Sequence, residues 1–383
     1  MTQPHTIEVN HPDAGMGIGP THRAAAGVAT ARVAVILVYY HQTTAADLAG
    51  CYASLRAQTY PQALTELFIV DNQSTPHSQA WIEQAAPAAR RLASPDNLGW
   101  GAGNNLAIHV ALEQRVDYFV FVNVDTVLDP DWLARLVDAA DRNPALDILQ
   151  SKIVLHGQHR IHSLGNRIHF LGYGYCLGYG QPDYEVTVTS YAVPGKIDFA
   201  SGAAMLVRRE LFERVGLFCE DYFLYYDDLE FCWRARLAGA RLGLVPDSIC
   251  AHRYAFAQTL QFLYYLDRNR LLTLLTLPRK RSVLVIAPCL AIAELALTVY
   301  YARRGWGRVR WDVVRYFLRA STWRWIAQRR RHIARLRAVD DAGIVAQFAG
   351  QIQFAEIDNR LFRRLLNPML WLYWSLARHL IRW

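Results

Sequence analysis

Three short runs of apolar, largely β-branched residues fix most of what this chain can fold into. Residues 31–40 read Ala-Arg-Val-Ala-Val-Ile-Leu-Val-Tyr-Tyr, residues 66–70 Glu-Leu-Phe-Ile-Val, and residues 117–122 Asp-Tyr-Phe-Val-Phe-Val. None alternates with polar residues, which is the pattern of a strand covered on both faces. Helical stretches separate them, one over residues 45–58 and one running to Glu113. Strand, helix and strand in this order predict an α/β fold with a mostly parallel central sheet flanked by helices. Open sheets of that kind bind ligands beyond the carboxyl ends of their strands.

Polar stretches bearing an acid follow two of the three runs at that edge: Asp71-Asn72-Gln73-Ser74 and Asn123-Val124-Asp125-Thr126. Asp71 is placed to accept hydrogen bonds from a base or ribose, or else to initiate a turn. Asp125, at the tip of an apolar strand, is where a hard cation such as Mg²⁺ or Mn²⁺ bridging two phosphates would find an oxygen ligand. Beyond it, Asp129-Pro130-Asp131-Trp132 reads as helix N-cap, first-turn proline and dipole-matching acid, so Asp129 and Asp131 are expected to be structural.

The segment Asn97-Leu98-Gly99-Trp100-Gly101-Ala102-Gly103-Asn104-Asn105 has glycines at every second position and does not follow the first strand. Both features speak against a nicotinamide-dinucleotide fingerprint. The glycines instead predict close approach of backbone to a nucleotide ahead of a helix. A second acidic stretch runs Phe223-Leu224-Tyr225-Tyr226-Asp227-Asp228-Leu229-Glu230. Its carboxylates fall at a predicted helix start, whose positive partial charge favours ionised acids. Capping is one use of such acids; a general base for a sugar hydroxyl, screened by the aromatics, is another. Residues 150–197, rich in Gly, His and Tyr, predict an irregular, β-rich connection with a sugar-friendly surface. Residues 201–209 predict a tight turn into a strand, residues 210–215 a short helix, and residues 241–245 a further strand ahead of His252.

In their order these motifs resemble the inverting family 2 glycosyltransferases, in particular the branch of bacterial rhamnosyltransferases and galactofuranosyltransferases. The likeness spans residues 32–275 and is most specific from Ser201-Gly202-Ala203-Ala204-Met205 through Val215-Gly216-Leu217-Phe218 to Tyr226-Asp227-Asp228, with His252 and Asp267-Arg268-Asn269-Arg270 after it. The resemblance implies a GT-A fold, with a nucleotide-binding half followed by an acceptor half. It implies Asp228 as catalytic base, Asp125 and His252 as ligands of Mg²⁺ or Mn²⁺, and Asp71, Asn97, Gly99, Asn104 and Asn123 as nucleotide contacts. Ser201, Gly202, Tyr226 and Asp227 would line the sugar side. The chain departs from the family at Asn123, which replaces the first metal-motif Asp, and at Phe218-Cys219-Glu220, where Phe-Asp-Glu is usual. The implied reaction is transfer of one sugar from a UDP- or dTDP-sugar to a glycan or lipid-linked saccharide. The rival readings are a processive synthase, whose Gln-x-x-Arg-Trp is not matched at Ser321-Thr322-Trp323-Arg324-Trp325, and an inactive sugar-nucleotide sensor.

Charge divides the chain. Residues 1–278 hold 21 Lys and Arg against 27 Asp and Glu, whereas residues 279–383 hold 20 against 6. The basic tail carries an apolar stretch at 283–302, interrupted by Pro288 and Glu294, and then tryptophans among arginines (Trp306, Trp311, Trp323, Trp325). A central acid and an internal proline favour an interfacial helix over a full span; Arg with Trp suits an anionic membrane surface or a nucleic-acid strand, and the apolar run favours the membrane. Three regions are therefore expected: a flexible leader at 1–31 without a secretory signal, a glycosyltransferase domain at 32–278, and a membrane-associating tail at 279–383. The expected location is the cytoplasmic face of the plasma membrane. A cut near residue 278 is expected to spare donor binding. Six cysteines without a Cys-x-x-Cys pair suggest neither zinc nor a disulfide framework.

Overall fold

A computed structural model describes residues 30–40, 44–183, 197–254, 259–352, 364 and 366–383; the expected leader lies outside the described residues. The apolar runs become β1 (Val33–Tyr39), β2 (Thr65–Asn72) and β4 (Tyr118–Val122), with β3 (Arg90–Ser94) added at the edge. Between them lie α1 (Ala45–Arg56), α2 (Pro76–Ala85) and α3 (Gly99–Leu112). Local chemistry starts two of these helices. Thr44 accepts a hydrogen bond from the Asp47 amide, and Thr75 accepts one from Ser78 with Pro76 in the first turn. All pairings among β1 to β4 are parallel, in the order β3-β2-β1-β4.

Past β4 the sheet also takes in strands of the opposite sense. The chain adds β5 (Thr126–Leu128), α4 (Trp132–Arg142), β6 (Ile148–Leu155), β7 (Arg160–Ser163), β8 (Asn166–Ile168), β9 (Gly174–Cys176), β10 (Ala204–Arg208), α5 (Arg209–Val215), α6 (Asp227–Leu237) and β11 (Leu242–His252). The sheet order is β3-β2-β1-β4-β10-β6-β11-β5, with β7 on β6 and with β8 and β9 as a separate hairpin. β10 runs antiparallel to both its neighbours, β4 and β6. The sheet is therefore mixed. An apolar run buries the same side chains in either direction, so its pattern carries no sign of strand sense.

Two local expectations also change. Residues 148–155, expected to be partly irregular, are a central strand whose Gln150 and Ser151 are fully buried. Gln150 is satisfied there by long-range partners, accepting from the Ser201 amide at 2.8 Å and donating to Ser163 Oγ at 3.1 Å. The helix expected from Asp129 starts at Trp132, with Asp131 at the cap position. Neither Asp caps it. Gln58 Oε1 accepts from the Leu133 amide at 2.9 Å instead, while Asp131 accepts from Thr59.

The chain continues through α7 (Leu260–Thr276), α8 (Lys280–Arg303), α9 (Gly307–Leu318), α10 (Ala320–Leu336), α11 (Asp341–Val345) and α12 (Asn367–Ala377). From Ala31 to Trp383 the chain packs as one unit. Ile286, Ile326, Ile333, Phe348 and Trp374 of the C-terminal region share one core with β1, β4, β10 and α6. Several tail arginines turn inward as well. Arg329 reaches Glu230 of α6 at 2.7 Å, Arg310 reaches Asp267 of α7 at 2.6 Å, and Arg330 and Arg337 donate to the carbonyls that end α7.

Candidate active site

Strand pairing alone gathers most of the expected residues. Because β10 is antiparallel to β4, it begins where β4 ends, and the Asn123 amide donates to the Ala203 carbonyl at 3.2 Å. Ser201 and Gly202 therefore stand beside Asn123. In the same way β11 ends where β5 begins, with His252 opposite Thr126. Asp125, in the turn between β4 and β5, faces that histidine, and His252 Nε2 lies 3.1 Å from Asp125 Oδ1. The Thr126 hydroxyl closes the turn by donating to the Asn123 carbonyl at 2.8 Å. His252 is buried, while about a third of the Asp125 side chain is exposed (36 %).

A carboxylate oxygen and an imidazole nitrogen side by side, open on one flank, are donors that fit a divalent cation of the Mn²⁺ type. No third metal-ligating side chain joins them among the described residues. Behind the pair, His252 Nδ1 lies 3.2 Å from His162 Nδ1. Burial, and the neighbouring His252, push the His162 imidazole down to about 3, so it is neutral at physiological pH.

On the other flank, Asp228 opens α6. Its Oδ2 accepts from the Gly202 amide at 3.0 Å and its Oδ1 from the Leu229 amide at 2.8 Å. Burial raises its pKa above the ordinary carboxylate value, and these backbone donors pull it back part of the way. Asp227 is more deeply buried, and one of its oxygens has no partner among the described residues. Burial, with the charge of Asp228 beside it, pushes Asp227 well above the carboxylate range. Tyr226, before it, is buried and donates to the Gly172 carbonyl at 3.1 Å.

Trp100 joins the two flanks. Its Nε1 donates to Asn123 Oδ1 at 3.3 Å, and its ring covers Gly202, where a Cβ would fall 2.4 Å from the indole. Only glycine fits under that ring. The glycine run behaves differently from expectation. Gly99 has φ +80° and a Cβ there would lie 1.9 Å from the Phe223 carbonyl oxygen, so the close approach it permits is to the chain ahead of Asp228. The Trp100 amide donates to that same carbonyl at 2.9 Å. Asn97 organises the turn through Asn72 and the Gly99 amide, and Asn104 is buried in α3, donating to the Trp100 carbonyl. Asp71 holds Ser74 with one oxygen; its other oxygen is buried without a partner among the described residues.

The loop before α6 is unusual: Phe223, Tyr225 and Tyr226 have φ of 66°, 62° and 70°. Such angles in non-glycine residues persist only where the surroundings enforce them. α7 supplies the enforcement. Asn269 Nδ2 donates to the carbonyls of Tyr222, Leu224 and Tyr225 at 2.8–3.0 Å, and Arg268 to those of Asp221 and Tyr222 at 2.8 Å. The motif order contains the Asp267–Arg270 segment but does not imply this work for it, and His162 lies in the stretch expected to be irregular. Nothing near His162 in sequence marks it; its place depends on two strand pairings.

The mixed α/β sheet thus carries a carboxylate–imidazole pair and a helix-start carboxylate on the two sides of the β4–β10 junction. Residues 34–216 match the family described as Glycosyl transferase family 2, and the chain carries a glycosyltransferase domain of that family. Similar proteins include the "low-salt glycan biosynthesis hexosyltransferase Agl10" of Haloferax volcanii, 26% identical over 63% of this chain and 74% of that protein. Another is the "N-acetylglucosaminyl-diphospho-decaprenol L-rhamnosyltransferase" of Mycobacterium tuberculosis, 30% identical over 49% of this chain and 66% of that one. The solved structure of GalNAc-T7 with UDP, GalNAc and Mn²⁺ aligns at 15% identity with a TM-score of 0.49, covering 62% of this chain and 47% of that one.

Proposed function

We propose that the chain transfers a single sugar, with inversion, from a UDP- or dTDP-sugar to a glycan or lipid-linked saccharide acceptor in the synthesis of a cell-surface polysaccharide. The observation that carries the reading is the pairing of Asp125 with His252 at 3.1 Å on one side of the β4–β10 junction and the Gly202-held Asp228 on the other. Asp125 and His252 would hold the cation, which when bound supplies positive charge to the departing diphosphate. Asp228 takes the acceptor's proton. Each of its oxygens keeps a lone pair beyond the backbone donor it already has, and its raised pKa makes it a stronger base than an exposed carboxylate. Inversion follows because the acceptor oxygen bonds the anomeric carbon on the face opposite the departing diphosphate, in one displacement with no enzyme-bound sugar. The unpartnered oxygen of Asp71 supports the nucleotide reading, since a buried acceptor without a donor costs about 1–3 kcal/mol that a base or ribose donor would recover.

The acceptor would be reached at a membrane surface on its cytoplasmic side. α8 is long and apolar enough to cross a membrane, and Leu284, Ile292, Leu295 and Val299 along it are exposed, as are Met369, Trp371 and Leu372 of α12. Glu294 of α8 nevertheless bonds Arg270 of α7 and Arg310 of α9, which ties the helix along the domain. That supports a helix lying in the interface, with exposed Arg303, Arg304 and Arg308 near anionic headgroups.

The test is Asp228→Asn assayed against a panel of nucleotide sugars with Mn²⁺. Transfer should fall about 10²–10⁴-fold while nucleotide-sugar affinity is kept. Unchanged transfer would remove Asp228 from the role of base.

A further inference from the structure

We propose that His162 is a positioning residue: by accepting the Nδ1 hydrogen of His252, it holds that ring with a bare Nε2 aimed beside Asp125 at the cation. The inference rests on the cation reading above and extends it to a residue outside every motif.

β7 lies on β6 with Val154 opposite Ile161 and Ile153 opposite Ser163, while β11 lies on the other side of β6 with His252 opposite Leu155. These two pairings bring His162 against His252, Nδ1 to Nδ1 at 3.2 Å. The His162 ring is fixed from two sides. It stacks on Tyr254 at 4.4 Å between centroids and meets Tyr179 edge-on at 5.9 Å.

Two identical nitrogens at that distance require one donor and one acceptor. In the first arrangement His162 donates to His252, whose Nε2–H then donates to Asp125. In the second, His252 Nδ1–H donates to His162, and His252 Nε2 presents its lone pair toward the Asp125 carboxylate. Two electron-rich atoms 3.1 Å apart repel unless a cation lies with them, so the cation selects the second arrangement. Between the two, the hydrogen of His252 passes from Nε2 to Nδ1 and that of His162 from Nδ1 to Nε2. Each ring keeps one hydrogen, and neither changes its charge. A residue at 162 that accepts no hydrogen bond leaves the ligating tautomer unsupported.

Full-length protein is titrated with Mn²⁺, alone and with UDP or dTDP, and free Mn²⁺ is read by electron paramagnetic resonance. His162→Phe, which keeps an aromatic ring and loses the acceptor, should weaken Mn²⁺ binding about 10–100-fold. His162→Asn, which offers an amide oxygen near the place of Nδ1, should stay close to wild type. In wild type, nitrogen-15 spectra should show His252 protonated at Nδ1 once Mg²⁺ is bound. If His162→Phe binds Mn²⁺ as wild type does while His252→Ala does not, the inference about His162 is wrong and the cation reading stands. Mn²⁺ binding indifferent to both His252→Ala and Asp125→Asn overturns both. Should the Phe variant not fold, the wild-type spectra decide, and His252 carrying hydrogen on Nε2 with Mg²⁺ present contradicts the proposal.

Discussion

In the parallel half of the sheet, the polar side chains of the site come off the chain where a strand ends: Asp71 at the end of β2, Asn123 and Asp125 just past β4. In the half built from β10, α6 and the helices behind them, Asp228 depends on groups far away in sequence. Its helix start is held by Gly202, by Trp100 through the Phe223 carbonyl, and by Asn269 and Arg268 through the loop carbonyls. The first half positions by topology and the second by clamping a strained loop. A change in the first should therefore act locally, while a change in the second should spread.

The largest expected effect tests that spread. Ending the chain at residue 278 removes Ile326, Ile333 and Trp374 from the shared core and Arg329 from Glu230, so the shortened chain should show no cooperative unfolding transition. A chain of that length that melts cooperatively and binds nucleotide would mean the two regions are independent. Next comes Asn269→Ala. The Leu224 and Tyr225 carbonyls lose this donor while Tyr222 keeps Arg268, and stability should fall by about 2–3 kcal/mol in denaturant titration. With Asp228 displaced, kcat should drop about 10²-fold while the donor KM changes little. Equal losses in kcat and donor affinity would instead place Asn269 in the donor site.

A smaller effect concerns Glu230. Burial alone would raise it, yet Arg234 and Arg329 overcome burial and hold it down at about 2, from an ordinary 4.5. A depressed acid stabilises the fold fully above its unfolded value, and that contribution disappears as pH falls from about 4.5 toward about 2. Arg329→Met leaves Arg234 in place, so it should cost roughly 2 kcal/mol at neutral pH and flatten the melting profile across that acid window. An unchanged profile would show that Arg234 alone holds the carboxylate.

The same contrast explains what the sequence allowed to be read. β1, β2 and β4 are legible because strands buried on both faces need unbroken apolar runs, and the acids that follow them are placed by that fact alone. β6 was hidden by Gln150 and Ser151, which are tolerated in a buried strand only through partners such as Ser163 and Ser201. The sense of β10 left no trace in its own residues. The tail's charge pointed outward in the reading of composition, yet Arg310, Arg329, Arg330 and Arg337 bond to carboxylates and carbonyls of the domain. Composition counts charges without saying which of them are already paired.

The central claim is that Asp125 and His252 meet on one cation and that Asp228 stands apart from it. Anomalous scattering from crystals grown with Mn²⁺ and UDP or dTDP tests this directly. The account predicts one strong peak in contact with Asp125 and His252 and none at Asp228; a peak ligated by Asp228, or one remote from His252, would contradict it.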